Sequence, residues 1–161
     1  MENSKKGYLL IASGVTLSKK DCAITPEKRE RMSRVPYASV VGSIMYAMTC
    51  TRANVAYSLG VVSRYQSDLG EAHWKVVKTI LKYLRNTKDQ WLIYGEPDLK
   101  LMRYIDSGFQ SDKDDSKSVS RFVFILNGGA IYWKSSKKTI IADSICEAEY
   151  IIASDAVKEV V

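Results

Sequence analysis

The chain has 161 residues, of which 46% are hydrophobic and 26% charged, and its formal net charge is +6. This length allows one domain or two small ones, and the hydrophobic content argues against a largely disordered chain. The three cysteines are far apart and lack metal-binding spacing, which excludes a disulfide framework and a zinc site as leading interpretations. No apolar run approaches the length of a membrane span, so we expect an intracellular protein of the cytoplasm, the nucleus or both.

The positive charge is unevenly placed along the sequence. Through Asp98 there are 15 Lys and Arg against 9 Asp and Glu, whereas from Leu99 onward each class has 9 members. A basic module joined to a neutral, carboxylate-bearing one suits an enzyme that holds a polyanion in one part and cuts it in another. The alternative is that the excess charge serves solubility alone.

The first part of the chain predicts a lead-in followed by helices. Residues 1–24 show no sustained period and predict an extended or loop-rich segment. Thr25 and Pro26 mark the start of a short helix, because Thr is a common N-cap and Pro is favoured at the first helical position. Apolar residues at three- and four-residue steps predict a second helix that opens at Pro36, and Asn54 is placed to cap a third.

A fourth helix is predicted after Asp68 and Glu71, which have capping-box spacing. His73 lacks Cys or His partners in the sequence and is interpreted as structural. Four cations of this helix recur at steps of three, four and three residues: Lys75, Lys78, Lys82 and Arg85. They share a stripe that is separate from the apolar face of the helix. Such a stripe with no interleaved acid favours contact with nucleic-acid phosphates, and the alternative is a solvated helix face.

The second part of the chain predicts a small antiparallel sheet and a final helix. A short strand is indicated at 91–95, a linker at 96–98, and further strands at 99–106, 119–126 and 130–134. The Asn-Gly-Gly sequence at 127–129 predicts a tight hairpin turn, because Asn and Gly tolerate positive φ. Ser144 has capping-box spacing to Glu147, so the last helix is expected to begin there and continue to the chain end.

Two carboxylates in this part are candidate metal ligands. Asp106 ends the first strand of the sheet, and Glu149 lies near the start of the last helix. A folded sheet can bring such carboxylates together as oxygen ligands for Mg²⁺, which activates water in phosphodiester hydrolysis. Two are too few to hold a pair of ions firmly, so the site is expected to be weak or incomplete. The alternatives are a turn role for Asp106 and a helix-dipole role for Glu149. The acidic loop with Asp112, Asp114 and Asp115 is expected to be solvated, with cation binding as the alternative.

An ordered series of short motifs resembles copia-type retrotransposon Pol polyproteins over nearly the whole chain from about residue 7. The earlier motifs resemble the stretch behind the polymerase core: Pro36 to Ala47, Cys50-Thr51-Arg52, Val55-Ala56-Tyr57, His73-Trp74 and Ile80 to Arg85. The later motifs resemble the start of the ribonuclease H domain: Tyr104-Ile105-Asp106, Trp133-Lys134-Ser135 and Glu147-Ala148-Glu149-Tyr150.

The resemblance implies a role for each part of the chain. Residues 25–98 would be a helical module like the reverse transcriptase thumb or connection, and residues 99–161 the N-terminal part of a ribonuclease H-like domain. That domain cleaves the RNA strand of RNA–DNA hybrids with Mg²⁺ and four acidic residues. Two of these map to Asp106 and Glu149, and the others would lie beyond Val161, so the chain alone is not expected to cleave RNA. The implied partners are RNA–DNA hybrid or other nucleic acid and the remainder of the polyprotein, with no membrane.

The expected fold is therefore α+β, with a small helical module followed by a truncated ribonuclease H-like β-β-β-α unit. In the family a fourth strand pairs with the first, so the first strand is expected to be an exposed edge and a route to self-association. Small glycines are usual in the family where this chain has Arg103 and Arg121. The alternative function is a non-enzymatic, basic nucleic-acid-binding module recruited by the host.

Overall fold

The computed structural model describes residues 7–11, 15–95 and 99–159 and divides into two compact units, Met1–Trp91 and Leu92–Val161. We call these the helical unit and the sheet unit. Among the described residues there are five α-helices and one three-stranded antiparallel sheet, which confirms the predicted α+β class. The linker predicted at 96–98 lies outside the described residues, as do parts of the lead-in and the last two residues of the chain. No helix in the described ranges is both long enough and apolar enough to cross a membrane.

The helical unit contains four α-helices in chain order: α1 (Pro26–Ser33), α2 (Tyr37–Thr51), α3 (Ala56–Val62) and α4 (Glu71–Asn86). Short 3₁₀ turns at Lys19–Asp21, Ala53–Val55 and Ser63–Tyr65 precede or join them. The core combines one face of each of the helices α2 to α4 with the connecting turns and one lead-in residue: Leu17, Tyr37, Val41, Ile44, Val55, Leu59, Val62, Tyr65, Val76, Val77 and Ile80. The described part of the lead-in has no α-helix or strand and only one 3₁₀ turn, in agreement with the prediction, and through Leu17 it contributes to the core.

Helix starts in this unit follow the sequence signals at α1 and α2, where Pro36 is the N-cap of α2, and depart from them at α3 and α4. Thr25 caps α1, because its Oγ1 accepts a hydrogen bond from the Lys28 N–H. The predicted cap of α4 was wrong: Gly70 is the N-cap, and the His73 ring takes the place of the capping carboxylate by accepting the Gly70 N–H. Asn54 does not cap α3, because it lies in a 3₁₀ turn and its side chain donates to the Tyr83 hydroxyl instead.

The sheet unit contains β1 (Met102–Gly108), β2 (Val119–Leu126), β3 (Gly129–Lys137) and α5 (Ile145–Lys158), with the strands in the order β1-β2-β3. Asn127 and Gly128 turn between β2 and β3 with φ of 54° and 77°. These left-handed values are those of the tight hairpin that the sequence predicts.

The strand predicted at 91–95 is not formed. In the sheet unit, residues 92–95 are irregular and attach to the β2–β3 hairpin, since Gly95 N–H donates to the Asn127 carbonyl and Tyr94 Oη to the Ala130 carbonyl. Gly95 has a φ of 151°, which takes the backbone out of the conformation of a regular strand.

Helix α5 packs on one face of the sheet. Ser144 caps it by accepting the Glu147 N–H, as predicted. Its inward face consists of Ala148, Ile152 and Ala156, and Ala156 packs with Phe122 and Phe124 of β2. At its C-terminal end Glu159 accepts a hydrogen bond from Tyr132 and pairs with Lys134, both on β3. Phe122 stands directly opposite Lys134, and Phe124 opposite Tyr132. Directly opposed residues of antiparallel strands share a face, so these four side chains lie on one face of the sheet, which we call the α5 face.

Candidate nucleic-acid and metal-binding residues

Four cations form a stripe along the outer side of α4. With a helical repeat of about 100° per residue, they fall within an arc of roughly 80°. We call them the α4 stripe: Lys75, Lys78, Lys82 and Arg85. Lys75 and Lys78 are exposed, Lys82 and Arg85 are half-buried, and the opposite side of α4 is buried in the core. The folded helix therefore separates the cations from the apolar face as the sequence predicts.

The surroundings of the α4 stripe are also positive. The helical unit has 15 Lys and Arg against 7 Asp and Glu, a net charge of +8, whereas the sheet unit has 9 against 11, a net charge of −2. The one acidic residue of α4 is Glu71 in its first turn, and it is paired with Arg31 at 2.8 Å. That acid is therefore already neutralised and does not offset the stripe.

Asp106 lies on β1 and is held by an arginine from the next strand. Arg121 of β2 stands directly opposite it in the register, and a guanidinium nitrogen lies 3.0 Å from Asp106 Oδ2. Successive strand residues alternate between faces, so this pair lies on the face opposite Phe122 and the α5 face. Arg121 was noted in the sequence only as a departure from a usual glycine, and its pairing with Asp106 was not anticipated.

Glu149 is an exposed residue of α5 that immediately follows the buried Ala148. Glu147 is engaged at the helix start, where its carboxylate accepts the Asp143 N–H at 2.7 Å. Within the described ranges, no group of three or more His, Cys, Asp or Glu side chains is arranged to hold a metal ion. Asp106 and Glu149 therefore do not assemble a complete set of metal ligands by themselves.

The acidic loop, which was expected to be solvated, is exposed at Asp114, but its Asp112 is buried and lysines pair with Asp112 and Asp115. Asp112 is buried, and its Oδ1 accepts the N–H groups of Asp114 and Asp115. Lys137 of β3 contacts both Asp112 and Asp115, at 3.1 Å and 2.8 Å, and Lys117 lies 3.4 Å from Asp115. The hydrogen bond from Lys137 is the main cause that lowers the pKa of Asp115 to about 2. Lysine side chains thus already pair with the carboxylates of Asp112 and Asp115.

The comparison with known proteins finds relatives of which the chain covers very different shares. The chain is 44% identical over all its 161 residues to the retrovirus-related Pol polyprotein from transposon TNT 1-94 of Nicotiana tabacum, and covers 12% of that protein. It is 39% identical over 131 residues, or 81% of the chain, to secreted RxLR effector protein 161 of Plasmopara viticola, and covers 92% of it.

A third relative, a putative transposon Ty5-1 protein of Saccharomyces cerevisiae, is 31% identical over 127 residues, which are 78% of this chain and 41% of that protein. No family model and no solved structure matches the chain. The similarity to the Nicotiana tabacum polyprotein extends over the whole chain, in agreement with the resemblance of the ordered motifs. The chain belongs to the family of retrovirus-related Pol polyproteins from copia-type transposons, and it spans a small part of such a polyprotein.

Proposed function

We propose that this chain is the part of a transposon Pol polyprotein that grips RNA–DNA hybrid through the α4 stripe. The observation that carries the proposal is the placement of four cations on one side of a helix whose other side is fixed in a core. Phosphates of a duplex attract such a row of cations, and the release of condensed counterions drives binding. The net charge of +8 on the helical unit supports the same conclusion.

In this proposal the helical unit acts as a thumb or connection module of a reverse transcriptase, and the sheet unit is the N-terminal part of a ribonuclease H-like domain. The β-β-β-α order of the sheet unit and the placement of Asp106 on its first strand support the second assignment. The remainder of the polyprotein is then the natural partner of the chain. A chain with this role would work in the cytoplasm or the nucleus.

The described residues do not supply a complete set of ligands for the proposed Mg²⁺ site. Asp106 is paired with Arg121, and the described residues offer no group of three metal-ligating side chains, so the residues present do not fit a firmly held ion. Asp106 and Glu149 would bind an ion weakly by themselves and would hold it firmly only together with carboxylates from elsewhere in a polyprotein. We therefore expect no RNA cleavage by this chain alone.

The α4 stripe can be tested through the salt dependence of binding. Lys78→Ala with Lys82→Ala should weaken binding to a fluorescent RNA–DNA hybrid and reduce the slope of log K against log salt by about 2, because each phosphate contact contributes about 0.9. Lys20→Ala with Lys28→Ala is the matched control, since both are exposed lysines of the helical unit outside the stripe. Fluorescence anisotropy across a salt series measures both slopes. Equal slopes for the two double variants would contradict a role for the stripe.

A second candidate is a binding module that carries no chemistry. It is favoured by the match to the Plasmopara viticola effector protein over 92% of that protein's length, and by the Arg121–Asp106 pair. Titration calorimetry with Mn²⁺ separates the two candidates. A hydrolase remnant should take up Mn²⁺ with a signal that Asp106→Asn with Glu149→Gln abolishes, whereas a pure binding module should give the same trace with and without these changes.

A further inference from the structure

The side chain of Arg121 lies in a row that crosses the three strands of the sheet. Arg121 on β2 stands directly opposite Asp106 on β1 and directly opposite Ser135 on β3. Directly opposed residues of antiparallel strands share a face, so this row lies on the face opposite α5. The Arg121 guanidinium reaches along the row to Asp106, with Nη2 3.0 Å from Oδ2. The register of β1 and β2 therefore fixes this ion pair.

The arginine is the more enclosed member of the pair. Its side chain is 36% exposed, against 64% for Asp106, and its Nε is buried. The guanidinium also lies against the end of β1, since a Cβ built on Gly108 would come within 3.3 Å of Arg121 Nη2. A side chain that is already confined loses less conformational entropy when it forms an ion pair. This confinement favours the Arg121–Asp106 pair over a pair of two free surface side chains.

Two other cations lie near this row, and neither is placed to take over from Arg121. Arg103 precedes Asp106 on β1 but stands opposite Phe124, on the α5 face. Lys137 of β3 is on the same face as Arg121, yet it is paired with two carboxylates of the acidic loop. An uncharged residue at position 121 would therefore leave the Asp106 carboxylate without its counter-ion.

A divalent cation would compete with the guanidinium for the same carboxylate. Mg²⁺ and Mn²⁺ take carboxylate oxygens as ligands, and Asp106 Oδ2 is already in contact with Arg121. An ion bound to the second oxygen of the carboxylate would lie close to the positive guanidinium and would be repelled by it. Metal binding at Asp106 therefore requires the guanidinium to move away.

We infer that Arg121 is an internal counter-ion that stands in the place of a divalent cation at Asp106 and keeps the metal affinity of this position low. The inference rests on the proposed function only in taking Asp106 as the candidate metal ligand. It assigns the weak metal binding expected of this chain to one side chain, in addition to the small number of carboxylates. Removing the charge at position 121 should therefore strengthen metal binding without any new ligand.

The test is a titration of the full chain with Mn²⁺, followed by the paramagnetic broadening of the residue 106 amide signal in NMR spectra. Arg121→Gln should bind Mn²⁺ at least about fivefold more tightly than the wild type, because the ion no longer competes with the guanidinium. Arg103→Gln is the matched control, since it removes the same charge from the opposite face, and it should stay within about twofold of the wild type. Adding Asp106→Asn to Arg121→Gln should abolish the gain.

Two further variants separate the charge of Arg121 from its shape. Arg121→Met keeps an apolar stem without charge and should gain Mn²⁺ affinity, whereas Arg121→Lys keeps the charge and should bind as weakly as the wild type. The NMR spectra also establish that each variant is folded. Equal Mn²⁺ affinities for the wild type and both neutral variants would overturn the inference, as would a gain that survives Asp106→Asn. Hybrid binding by the α4 stripe is measured separately through its salt dependence, so the failure of one proposal is distinguishable from the failure of the other.

Discussion

His73 joins three parts of the helical unit through one imidazole ring. Its Nδ1 accepts the Gly70 N–H at 2.9 Å, its Nε2 lies 3.3 Å from the Ser18 carbonyl, and the ring stacks on Tyr65 with centroids 4.0 Å apart. Because Nδ1 is an acceptor, the proton belongs on Nε2, which can then donate to Ser18. The neutral ring therefore satisfies the buried Gly70 N–H and gives the Ser18 carbonyl a second contact beside the hydrogen bond from the Asp21 N–H, which agrees with its structural interpretation.

Replacing His73 with Phe should destabilise the chain by about 2 kcal/mol, because an aromatic ring remains for stacking while the buried Gly70 N–H loses its partner and the Ser18 carbonyl keeps only the Asp21 N–H. Urea unfolding followed by circular dichroism measures the change. Tyr46→Phe on the exposed side of α2 is the control and should stay within about 0.5 kcal/mol of the wild type. Wild-type stability in the His73 variant would show that the two hydrogen bonds contribute little.

Asp115 should titrate far below an ordinary aspartate. The hydrogen bond from Lys137 lowers its pKa to about 2, so Lys137→Gln should raise that pKa toward its usual value of about 3.9. NMR titration of the carboxyl carbon measures both values, with the exposed Lys113→Gln as a control that should change nothing. Because the pKa of Asp115 is lower in the folded chain than in the unfolded chain, the ionised Asp115 carboxylate stabilises the fold above about pH 4. This stabilisation is lost as the pH falls toward 2. Titration of Asp115 near pH 4 in the wild type would show that the Lys137 contact is absent in solution.

At the scale of elements, local patterns in the sequence were sufficient for helices and the hairpin. The spacing of apolar residues in α4, the Ser144 cap of α5 and the Asn127-Gly128 turn each depend on neighbours within a few residues. A short window of the sequence is therefore enough to detect each of these signals. They therefore predicted element type and approximate bounds.

Features that depend on residues far apart in sequence were not predictable in the same way. The Arg121–Asp106 pair depends on the register of two strands separated by a loop, and Leu17 reaches the core through contacts with distant helices. Asp112 is a buried loop residue that pairs with Lys137 of β3, which is distant in the sequence. No periodicity in a single sequence encodes these distances, so the candidate metal site could be named by residue type but not by geometry.

The docking of α5 on the sheet should depend on its inward face. Ile152 is 1% exposed and lies between Ala148 and Ala156 on that face, so Ile152→Ala should cost about 3 kcal/mol through lost burial and the cavity left behind. Val157→Ala is the control, because Val157 is half-exposed on the same helix. Thermal unfolding by circular dichroism compares the two. Equal melting temperatures for both variants would mean that α5 does not pack on the sheet in solution.

At the scale of the whole molecule, charge divides at the same boundary as the compact units. The helical unit has a net charge of +8 and its own hydrophobic core, and the sheet unit has a net charge of −2 and a separate small core. Binding to a polyanion depends mainly on the number of cations that meet phosphates. The proposed grip on RNA–DNA hybrid should therefore reside in the helical unit.

This division can be measured with two fragments, residues 1–91 and residues 92–161. Fragment 1–91 should bind hybrid with the same salt slope as the full chain to within about one unit, because it contains the whole α4 stripe. Fragment 92–161 should bind at least about tenfold more weakly at low salt, since its acidic residues outnumber its basic ones. Anisotropy titrations on the same hybrid give both values, and circular dichroism establishes that each fragment is folded. If fragment 92–161 reproduces the slope of the full chain, the phosphate contacts lie on the sheet unit, and the α4 stripe is a solvated helix face.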